Sequence, residues 1–485
     1  MKTQYKLLLF LLIMAGLSRA QTEEDYQWTI QECVDYALEN NLSVQRTLLN
    51  VETSDITYQQ SKMALLPDAN ITGNYGFNWG RTIDPTTNLF VDNRRTATSN
   101  GSLIGTVPVF NGFNLRNTIK QNELAFQASQ QDLERTKNDV IINIITFYTN
   151  VLFNKELLDN AKKQLNSTEQ QVDRTAKQVE AGALPRANLL DLEAQYATNE
   201  LNVVNAENNY KLTKIQLKQA LQLPPSSSVD IVVPEINVEE NMLDVSVTEV
   251  YEIALRNMPE IKSANLNQES ASWGIKAAKS NLYPSLSFTG GLSSQYSDAT
   301  ADAERFIRDG GEPTIVQRPI GFVEGTSTRV LTEVEMPSGR TVEGYSFGDQ
   351  VDDNLRRFIR LNVNIPIFNR FQTRAGIQRA IINQQQAEIN LKDVQNQLWQ
   401  TIEQSYYDVE AASKSYAASL KQVEARRESF RVTKQRYDNG AANFVDYQVA
   451  ENDLFQSESD LVRAKYDYIF KLKILDFYQG KPLEF

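Results

Sequence analysis

The sequence from Asn70 to Trp79 reads NITGNYGFNW, and its alternation indicates the kind of structure from which the chain is built. Apolar residues or glycine occupy the odd positions, including Ile71 and Tyr75, while asparagine, threonine or glycine occupies the even positions. A period of two residues is typical of a β-strand with one apolar and one polar face. The stretch therefore predicts an amphipathic strand.

Three further segments, 102–109, 286–293 and 359–367, show the same alternation, although Ile104 breaks the polar side of the first of them. Segments of about ten residues have the length that crosses a bilayer at a tilt. We therefore expect four membrane-spanning strands in the chain.

The second half of the chain repeats the first. Ala37-Leu38-Glu39-Asn40 returns as Ala254-Leu255-Arg256-Asn257, at an offset of 217, and Pro108-Val109-Phe110-Asn111 returns as Pro366-Ile367-Phe368-Asn369, at an offset of 258. The offset thus grows by 41, and all of this growth falls between Gly290 and Pro366. Two copies of one unit are expected, the second with one enlarged loop.

The repeat predicts the plan of the whole chain. The first unit spans residues 21–223, a linker with a strand-like stretch at Val229–Val233 spans 224–246, and the second unit spans 247–485. The extra residues lie in a glycine-rich, charged segment, 297–354, which we interpret as an extracellular loop, with a lid, a receptor surface or a simply mobile loop as the alternatives for its role. A helix from about Thr29 to Ala64 is expected to open the first unit, because Pro67 cannot continue it.

Long helices follow the strands in both units. The segments Phe113–Ala181 and Ile377–Asn439 contain neither glycine nor proline, and at 1.5 Å per residue they would run for about 100 Å and 95 Å. Gly182 and Gly440 end them, and polar helices return antiparallel, so each unit ends as a helical hairpin. In the second long helix, apolar residues recur at the three- and four-residue spacings of a coiled coil: Leu391, Val394, Leu398, Ile402, Val409, Tyr416, Leu420 and Val423.

The first twenty residues predict a secretory signal peptide. Lys2 and Lys6 precede an apolar run that ends in the small-residue sequence Ser18-Arg19-Ala20, so cleavage is expected after Ala20. No later stretch has the roughly 20 apolar residues of a transmembrane helix. The lone cysteine, Cys33, has no partner for an internal disulfide, and we interpret it as a buried small hydrophobic residue.

Composition argues against an enzyme and against a nucleic-acid-binding protein. The chain has no histidine, which is the commonest general base and metal ligand. Its 61 acidic residues are not organised by any Gly-rich phosphate loop or metal-ligand spacing, so no cofactor is expected. The net charge of -12 disfavours a nucleic-acid partner.

Four strands cannot close a barrel, and an open sheet edge cannot face lipid, because each unpaired backbone group there costs several kcal/mol. The chain must therefore associate with copies of itself. Three copies would supply twelve strands, an even number that outer-membrane barrels permit. The polar strand faces would then line water.

In three of its features the chain resembles the TolC-like outer-membrane efflux proteins. The paired Ala-Leu-x-Asn openings resemble the family's unit start, the proline-bounded strand pairs resemble its barrel, and Tyr437-x-x-Gly440 resembles its hairpin tip. The fold class implied is mostly helical with a membrane β-barrel: a homotrimer with a 12-stranded barrel in the outer membrane and a long α-helical periplasmic tunnel. The partners implied are a periplasmic adaptor protein and an inner-membrane pump, and the function implied is passive exit of substrates.

The resemblance also implies a periplasmic gate. The family has a pore-facing aspartate six residues after the tip glycine of the second unit, which is Asp446 here, although an acid in the first turn of any helix has an ordinary structural explanation. Val449 stands where the family often has a second aspartate. Tyr437 matches a tyrosine of the family's closing contacts, or packs as a plain aromatic residue, and Ala442 replaces the expected arginine.

The first unit offers Asn188 and Asp191 at the corresponding positions of the gate. Because both hairpins reverse at exposed glycines, we expect the adaptor to dock at Gly182-Ala183 and Gly440-Ala441. Aromatic residues near the strand ends predict an interfacial girdle in contact with outer-membrane lipid: Phe77, Trp79, Phe110 and Phe368.

Two other classes of protein fit part of the sequence. A periplasmic coiled-coil adaptor or scaffold would share the signal peptide, long hairpin and acidic charge, but it should have one hairpin and no lipid-facing strands. A secreted carbohydrate-active enzyme needs only paired carboxylates. The duplicated strands argue against the first, and the heptads through half the chain argue against the second.

Overall fold

The computed structural model describes residues 27–84, 90–234, 245–301 and 304–481. The expected signal peptide, residues 1–20, lies outside the described residues, as do residues 235–244 of the linker. The helices are α1 (Ile30–Asn40), α2 (Leu42–Met63), α3 (Asn114–Glu180), α4 (Arg186–Ala220), α5 (Val247–Asn257), α6 (Pro259–Ser280), α7 (Phe347–Asp353), α8 (Gln372–Asp438) and α9 (Phe444–Tyr478). The strands are β1 (Gln27–Trp28), β2 (Asp68–Ile83), β3 (Phe90–Asn111), β4 (Asp230–Ile231), β5 (Ser285–Ser297), β6 (Arg305–Arg308), β7 (Thr314–Phe322), β8 (Arg329–Met336), β9 (Gly339–Val342) and β10 (Arg356–Asn364).

The internal repeat is visible in the helix lengths. Helices α1 and α5 have 11 residues each, and α2 and α6 have 22 each. The long helices α3 and α8 have 67 residues each, and the return helices α4 and α9 have 35 each. Both ends of every pair keep one of the two offsets that the sequence shows.

The single helix expected from Thr29 to Ala64 is wrong, because the structure has two helices there. Thr29 caps α1 in a capping box with Glu32, so the expected start is correct within one residue. The backbone becomes extended at Asn41, with ψ of 124°, and α2 starts after it. The second unit breaks at the same place, at Met258, where Pro259 opens the next helix.

The four predicted membrane strands form one antiparallel sheet in the order β10-β5-β3-β2. Leu103 pairs with Ile71 on one side and with Leu292 on the other, while Thr106 pairs with Thr289. Since paired residues share a face, one apolar and one polar face run across the sheet, as the alternation predicts.

The expected strand length of about ten residues is wrong for the first unit. Strands β2 and β3 have 16 and 22 residues, β5 has 13 and β10 has 9. Strands β2 and β3 are longer than expected because their backbones remain paired past Trp79. The pairing extends to Ile83 in β2 and to Phe90 in β3, which is more than the length needed to cross a bilayer. Strand β10 ends at Asn364, before the expected limit at Ile367.

The described chain divides into two compact units, each drawn from both repeats. The helical unit comprises residues up to Tyr58, Gln121–Ser272 and the chain from Ile381 onward. The sheet unit comprises Gln59–Lys120 and Trp273–Ala380. The duplication therefore builds each unit from two matching halves.

The core of the helical unit consists of two clusters of buried side chains. One cluster surrounds Tyr148 and the other surrounds Ile402. Cys33 is fully buried in the first cluster, which confirms its interpretation as a small hydrophobic residue.

The helical core confirms two further sequence predictions. Four seam positions of α8 are buried: Leu398, Ile402, Val409 and Val423. The strand-like linker stretch forms β4, which pairs in parallel with β1. Tyr148 from α3 donates its hydroxyl to the carbonyl oxygens of Trp28 (3.1 Å) and Val232 (2.6 Å), which ties this pair to the first long helix.

Both turns from strand to long helix use the same rare backbone conformation. Phe113 has φ of 67° and Phe371 has φ of 69°, and each follows a residue that is also left-handed. The preceding residue is Gly112 in the first unit and Arg370 in the second. Only glycine fits the first position, because a Cβ at Gly112 would lie 2.4 Å from the carbonyl oxygen of Ser280.

The enlarged segment 297–354, which the sequence predicts to be an extracellular loop, has secondary structure of its own. It contains two antiparallel strand pairs, β6 with β9 and β7 with β8, and the short helix α7. Strands β5 and β10 lead into it from the end of the sheet that is opposite to their helix connections.

Candidate functional site

The two hairpin tips, where α3 turns into α4 and α8 turns into α9, have the same geometry. Gly182 has φ of 74° and Gly440 has φ of 71°. The amide of Ala183 donates to the carbonyl of Gln178 (2.8 Å), and the amide of Ala441 donates to that of Arg436 (2.7 Å). This is the Schellman ending of a helix. Both tips are exposed, and a Cβ at either glycine would meet open space.

Asp446 lies in the first turn of α9, close to the second tip. Asn443 caps this helix, and its Oδ1 accepts a hydrogen bond from the amide of Asp446 (2.8 Å). The carboxylate of Asp446 and that of Asp191 on α4 are both exposed, and neither has a hydrogen-bond or ion-pair partner among the described residues. In one chain the structure therefore leaves both acids free to face solvent or a neighbouring copy.

Tyr437 and Asn188 line a common groove of about 510 Å³ between the two tips, whereas Asp446 and Asp191 do not line it. The ring of Tyr437 packs against Tyr447 at 5.0 Å between centroids. Burial raises the pKa of the Tyr437 hydroxyl, and the neighbouring Asp438 acts in the same direction. The Tyr437 side chain is thus a neutral phenol in the wall of the groove.

A buried carboxylate joins the two hairpins beside this groove. Glu451 of α9 is only 5% exposed. Its Oε1 accepts from Ser167 Oγ (2.7 Å) and from Gln171 Nε2 (2.8 Å), and both donors belong to α3. The same Gln171 amide donates to the hydroxyl of Tyr447 (2.8 Å). We call Ser167, Gln171, Tyr447 and Glu451 the inter-hairpin latch.

An ion pair adds a second link at the tips. A guanidinium nitrogen of Arg174 on α3 lies 3.9 Å from a carboxylate oxygen of Asp438 on α8, and both side chains are about half exposed. An exposed pair of this kind contributes about 0–1 kcal/mol, so the latch is the stronger link. Arg174 and Ala442 both line the groove, and Ala442 is the position at which the resemblance led us to expect an arginine. The arginine that lines this groove is therefore Arg174 of the first hairpin, whereas the resemblance placed it at position 442 in the second hairpin.

Sequence reasoning missed the latch as a site. The feature of the sequence that could have indicated the latch is a charged residue within an apolar pattern. Glu451 lies four residues after buried Tyr447 and three before buried Leu454, on the core-facing side of α9. A carboxylate in such a position must find donors or stay in water. Its partners come from a helix about 280 residues away, which no local pattern identifies.

The aromatic residues expected to form a girdle lie at two levels of the sheet. Phe77 pairs with Ala97 and Trp79 with Arg95, toward the far end of β2 and β3. Phe110 lies at the other end of β3, and Phe368 follows β10 at that same end. Trp79 and Phe368 are 75% and 84% exposed in the single chain.

Metal ligation and helical membrane spans find no support in the described part of the chain. No group of three or more cysteine and acidic side chains within the described ranges could hold a metal ion. No helix within those ranges is long and apolar enough to cross a bilayer.

Comparison with known proteins identifies relatives along almost the whole chain. The family model described as outer membrane efflux protein matches residues 33–222 and 346–480. The outer membrane efflux protein BepC of Brucella suis biovar 1 (strain 1330) is 23% identical over 438 residues, which cover 89% of this chain and 81% of BepC.

Solved structures share the fold. CusC superposes with a TM-score of 0.73 at 16% identity, covering 96% of each chain. VceC, an outer membrane protein of Vibrio cholerae, superposes with a TM-score of 0.70 at 13% identity, covering 94% of this chain and 97% of VceC.

Proposed function

The chain belongs to the outer membrane efflux protein family, and on this basis we propose that three copies form a passive duct gated at its periplasmic end. The observation that carries the proposal is a four-stranded sheet with one apolar face, whose strands continue into two long helical hairpins. The protein is an outer-membrane channel subunit for efflux or secretion. The number of copies, the gate and the partners are the parts that we propose.

The sheet supports assembly with other copies. Its edge strands, β2 and β10, each pair with only one other strand in the described chain. An edge of this kind is not stable in lipid, because each unsatisfied backbone group costs several kcal/mol there. If β2 of one copy pairs with β10 of the next, three copies close a barrel of twelve strands.

Helices α2 and α4 give independent support. On α4, Leu190, Leu201 and Leu212 occupy every eleventh position, close to three full turns apart, and all are exposed. They lie on the side opposite to buried Leu192 and Leu217. A helix with apolar side chains on two opposite sides needs a neighbour on each side, and we assign the second neighbour to another copy.

On α2 the exposed apolar residues follow a seven-residue spacing: Leu42, Leu49, Ile56 and Met63. The buried residues Val44 and Val51 lie on a different side of this helix. A seven-residue spacing is typical of a coiled-coil seam. These two stripes, on α2 and α4, are the proposed contacts between copies along the tunnel.

The spacing of the aromatic residues along the strands supports the expected girdle. Phe77 of β2 pairs with Ala97 of β3, and Phe110 lies further along the same strand. At 3.3 Å per residue and a tilt of about 40°, the roughly 13 residues from Ala97 to Phe110 span about 33 Å along the barrel axis. We therefore propose that Phe77 and Trp79 contact lipid at the outer interface, and that Phe110 and Phe368 do so at the inner interface.

The gate is proposed to combine the latch with an acidic ring. While the latch holds α9 against α3, the hairpins stay together and the entrance is narrow. Around a threefold axis three copies of Asp446 would lie near one another, with Asp191 and Asn188 behind them. Repulsion across about 10 Å is largely screened at physiological salt, so the ring filters cations without forcing the helices apart.

The exposed tips are proposed to bind the periplasmic adaptor. Gly182-Ala183 and Gly440-Ala441 are small, and the space above them is open. Six such tips in a trimer would form a ring at the periplasmic end. The adaptor would then connect the duct to an inner-membrane pump.

An adaptor or scaffold is the second candidate function, but the observations favour the channel. A coiled-coil adaptor has no need of a sheet whose exposed apolar face includes Ile71 and Ile359. The proposed function is tested by purifying the protein from the outer-membrane fraction and recording it in planar bilayers. Cation-selective channels are expected, whereas recovery only as a soluble periplasmic protein would contradict the proposal.

A further inference from the structure

Positive charge is concentrated at the end of the sheet where the chain connects to helices. The four segments that flank this end of β2, β3, β5 and β10 are 59–66, 112–120, 273–284 and 365–380. Together they contain eight basic residues and no acidic residue. All eight belong to the sheet unit. We call these residues the basic collar: Lys62, Arg116, Lys120, Lys276, Lys279, Arg370, Arg374 and Arg379.

The collar stands out against the charge of the rest of the chain. The net charge of the whole chain is -12, and the segment 297–354, at the other end of the sheet, has twelve acidic and five basic residues. The acid nearest to the collar along the sequence is Asp68, whose Oδ1 accepts from the amide of Thr106 (2.9 Å). Arg370 and Arg374 are exposed and have no ion-pair partner among the described residues. The collar therefore presents uncompensated positive charge.

A cavity of about 290 Å³ joins one collar residue to exposed apolar side chains. Arg374 lines it together with Leu282, Ile367, Phe368 and Phe371. Of its nine lining residues in the described chain, five are apolar and only Arg374 is charged. Ile367 and Phe368 are 94% and 84% exposed. An apolar wall with one cation suits a ligand that has both a hydrocarbon part and an anionic part.

Other collar residues lie beside aromatic rings. Lys276 Nζ is 3.4 Å from the centroid of the Trp273 ring, and the guanidinium of Arg116 is 5.9 Å from that of Phe113. Aromatic residues are enriched where a bilayer meets water, and long basic side chains there place their charge at the headgroups. The collar thus has the composition of a membrane interface.

Helix stability does not explain the arginines of the collar. Arg116 and Arg374 are the third residues of α3 and α8, and neither helix has an acid in its first turn. The helix macrodipole favours acids and disfavours cations at this end of a helix. Both repeats nevertheless have arginine at this position, which points to an anion outside the chain.

We propose that the basic collar binds anionic phospholipid in the periplasmic leaflet of the outer membrane. Arg374 and Lys279 contact headgroup phosphates, and the cavity beside Arg374 holds the start of an acyl chain. This inference rests on the proposed position of Phe368 at the inner interface. Since Arg374 shares a cavity with Phe368, it then lies in the headgroup layer, which is about 5–8 Å thick. An anionic lipid surface attracts basic residues within about a Debye length.

A neighbouring copy does not neutralise the collar. Pairing of β2 with β10 of the next copy would bring Asp68 beside the end of β10. Each copy still has eight collar cations against one Asp68, which leaves a net charge of +7. Lys279 precedes β5, which has neighbours on both sides within its own chain, so it lies away from the proposed contact between copies.

Native mass spectrometry with bound lipid tests the collar. The complex is extracted in mild detergent and mixed with equal amounts of phosphatidylglycerol and phosphatidylethanolamine that have the same acyl chains. The unmodified complex should retain phosphatidylglycerol in several-fold excess. The triple variant Arg116→Gln, Lys279→Gln and Arg374→Gln should lose most of this excess, because it removes three collar charges from each copy.

A second triple variant is the matched control. Arg308→Gln, Arg329→Gln and Arg340→Gln remove the same charge from exposed positions of the segment 297–354, and the excess should be unchanged. A further arm replaces chloride with inorganic phosphate at the same ionic strength. The excess should persist there, because the apolar cavity holds the acyl chain. Its loss in phosphate would assign the cations to free phosphate and overturn the lipid site.

An equal excess of phosphatidylglycerol in the collar variant and in its control would also overturn the proposal. If the collar variant dissociates while the control stays intact, Lys279→Gln alone carries the test. A lower excess in Lys279→Gln supports the lipid site, and an unchanged excess would assign the collar to contacts between copies. A monomeric unmodified protein would refute the proposed trimer, whereas its lipid ratio would still test the collar, because all eight residues lie in one chain.

Discussion

Replacing Gln171 with alanine tests the inter-hairpin latch. The Gln171 amide donates to Glu451 and to Tyr447, at 2.8 Å in both cases. Gln171→Ala leaves the buried carboxylate with Ser167 as its remaining side-chain donor. A hydrogen bond to a charged group contributes about 1.5–3 kcal/mol, so we expect the latched state to lose about 2–3 kcal/mol in each protomer. This corresponds to about a 30- to 150-fold shift toward separated hairpins.

The assay is single-channel recording of purified protein in planar bilayers. Gln171→Ala should show a higher open probability and longer openings than the unmodified channel. Gln170→Ala is the matched control, because the exposed Gln170 side chain bonds to Asn166 of its own helix (2.7 Å) and not to the other hairpin. If the two variants are both trimeric and have the same open probability, the latch does not hold the gate.

The remaining predictions address the acidic ring, the hairpin tips, the contact between copies along α4 and the buried core. Asp446→Asn should reduce cation selectivity and weaken block by multivalent cations in planar bilayers, with smaller effects from Asp191→Asn; unchanged selectivity and block would place the constriction elsewhere. Ala441→Glu adds bulk and charge at an exposed tip, so export from cells should fail while channel conductance in bilayers is retained, and normal export would exclude docking there. Leu201→Glu replaces a side chain whose burial between copies would contribute about 1.5–3 kcal/mol per copy, so native mass should detect dissociation, and an intact trimer would refute the proposed contact between copies along α4. Burial raises the pKa of the Cys33 thiol from its ordinary 9.0 to about 12, so the unfolded chain ionises first as pH rises. Stability should therefore fall between about pH 9 and 12, and a thermal midpoint that falls equally in Cys33→Ala would contradict this.

The repeat and the elements were predictable from the sequence because their signals are periodic and local. The offsets of 217 and 258 reappear at the start and end of every paired helix. The alternation in residues 70–79 predicts β2, and its length was underestimated because pairing with β3 continues past the alternating stretch. The break at Asn41 was missed because a helical pattern runs on across it and no proline marks it.

The site was only partly predictable. The glycines at the hairpin tips were predictable because the chain must reverse between two long helices. Both glycines have the left-handed backbone conformation in the structure. The latch depends on Glu451 meeting Ser167 and Gln171 across the two repeats, a contact between distant segments that periodicity cannot reveal. In the same way, the strand pairs within 297–354 were interpreted as a loop because glycines and charges hide them.

A single duct requires that copies of this chain complete one another's sheet. The native mass of the protein, extracted from the outer membrane in mild detergent, measures this assembly without any substitution. A complex of three chains is expected, because three four-stranded sheets close one twelve-stranded barrel. A monomer or a dimer would leave β2 and β10 as open edges in lipid and would contradict the assembly.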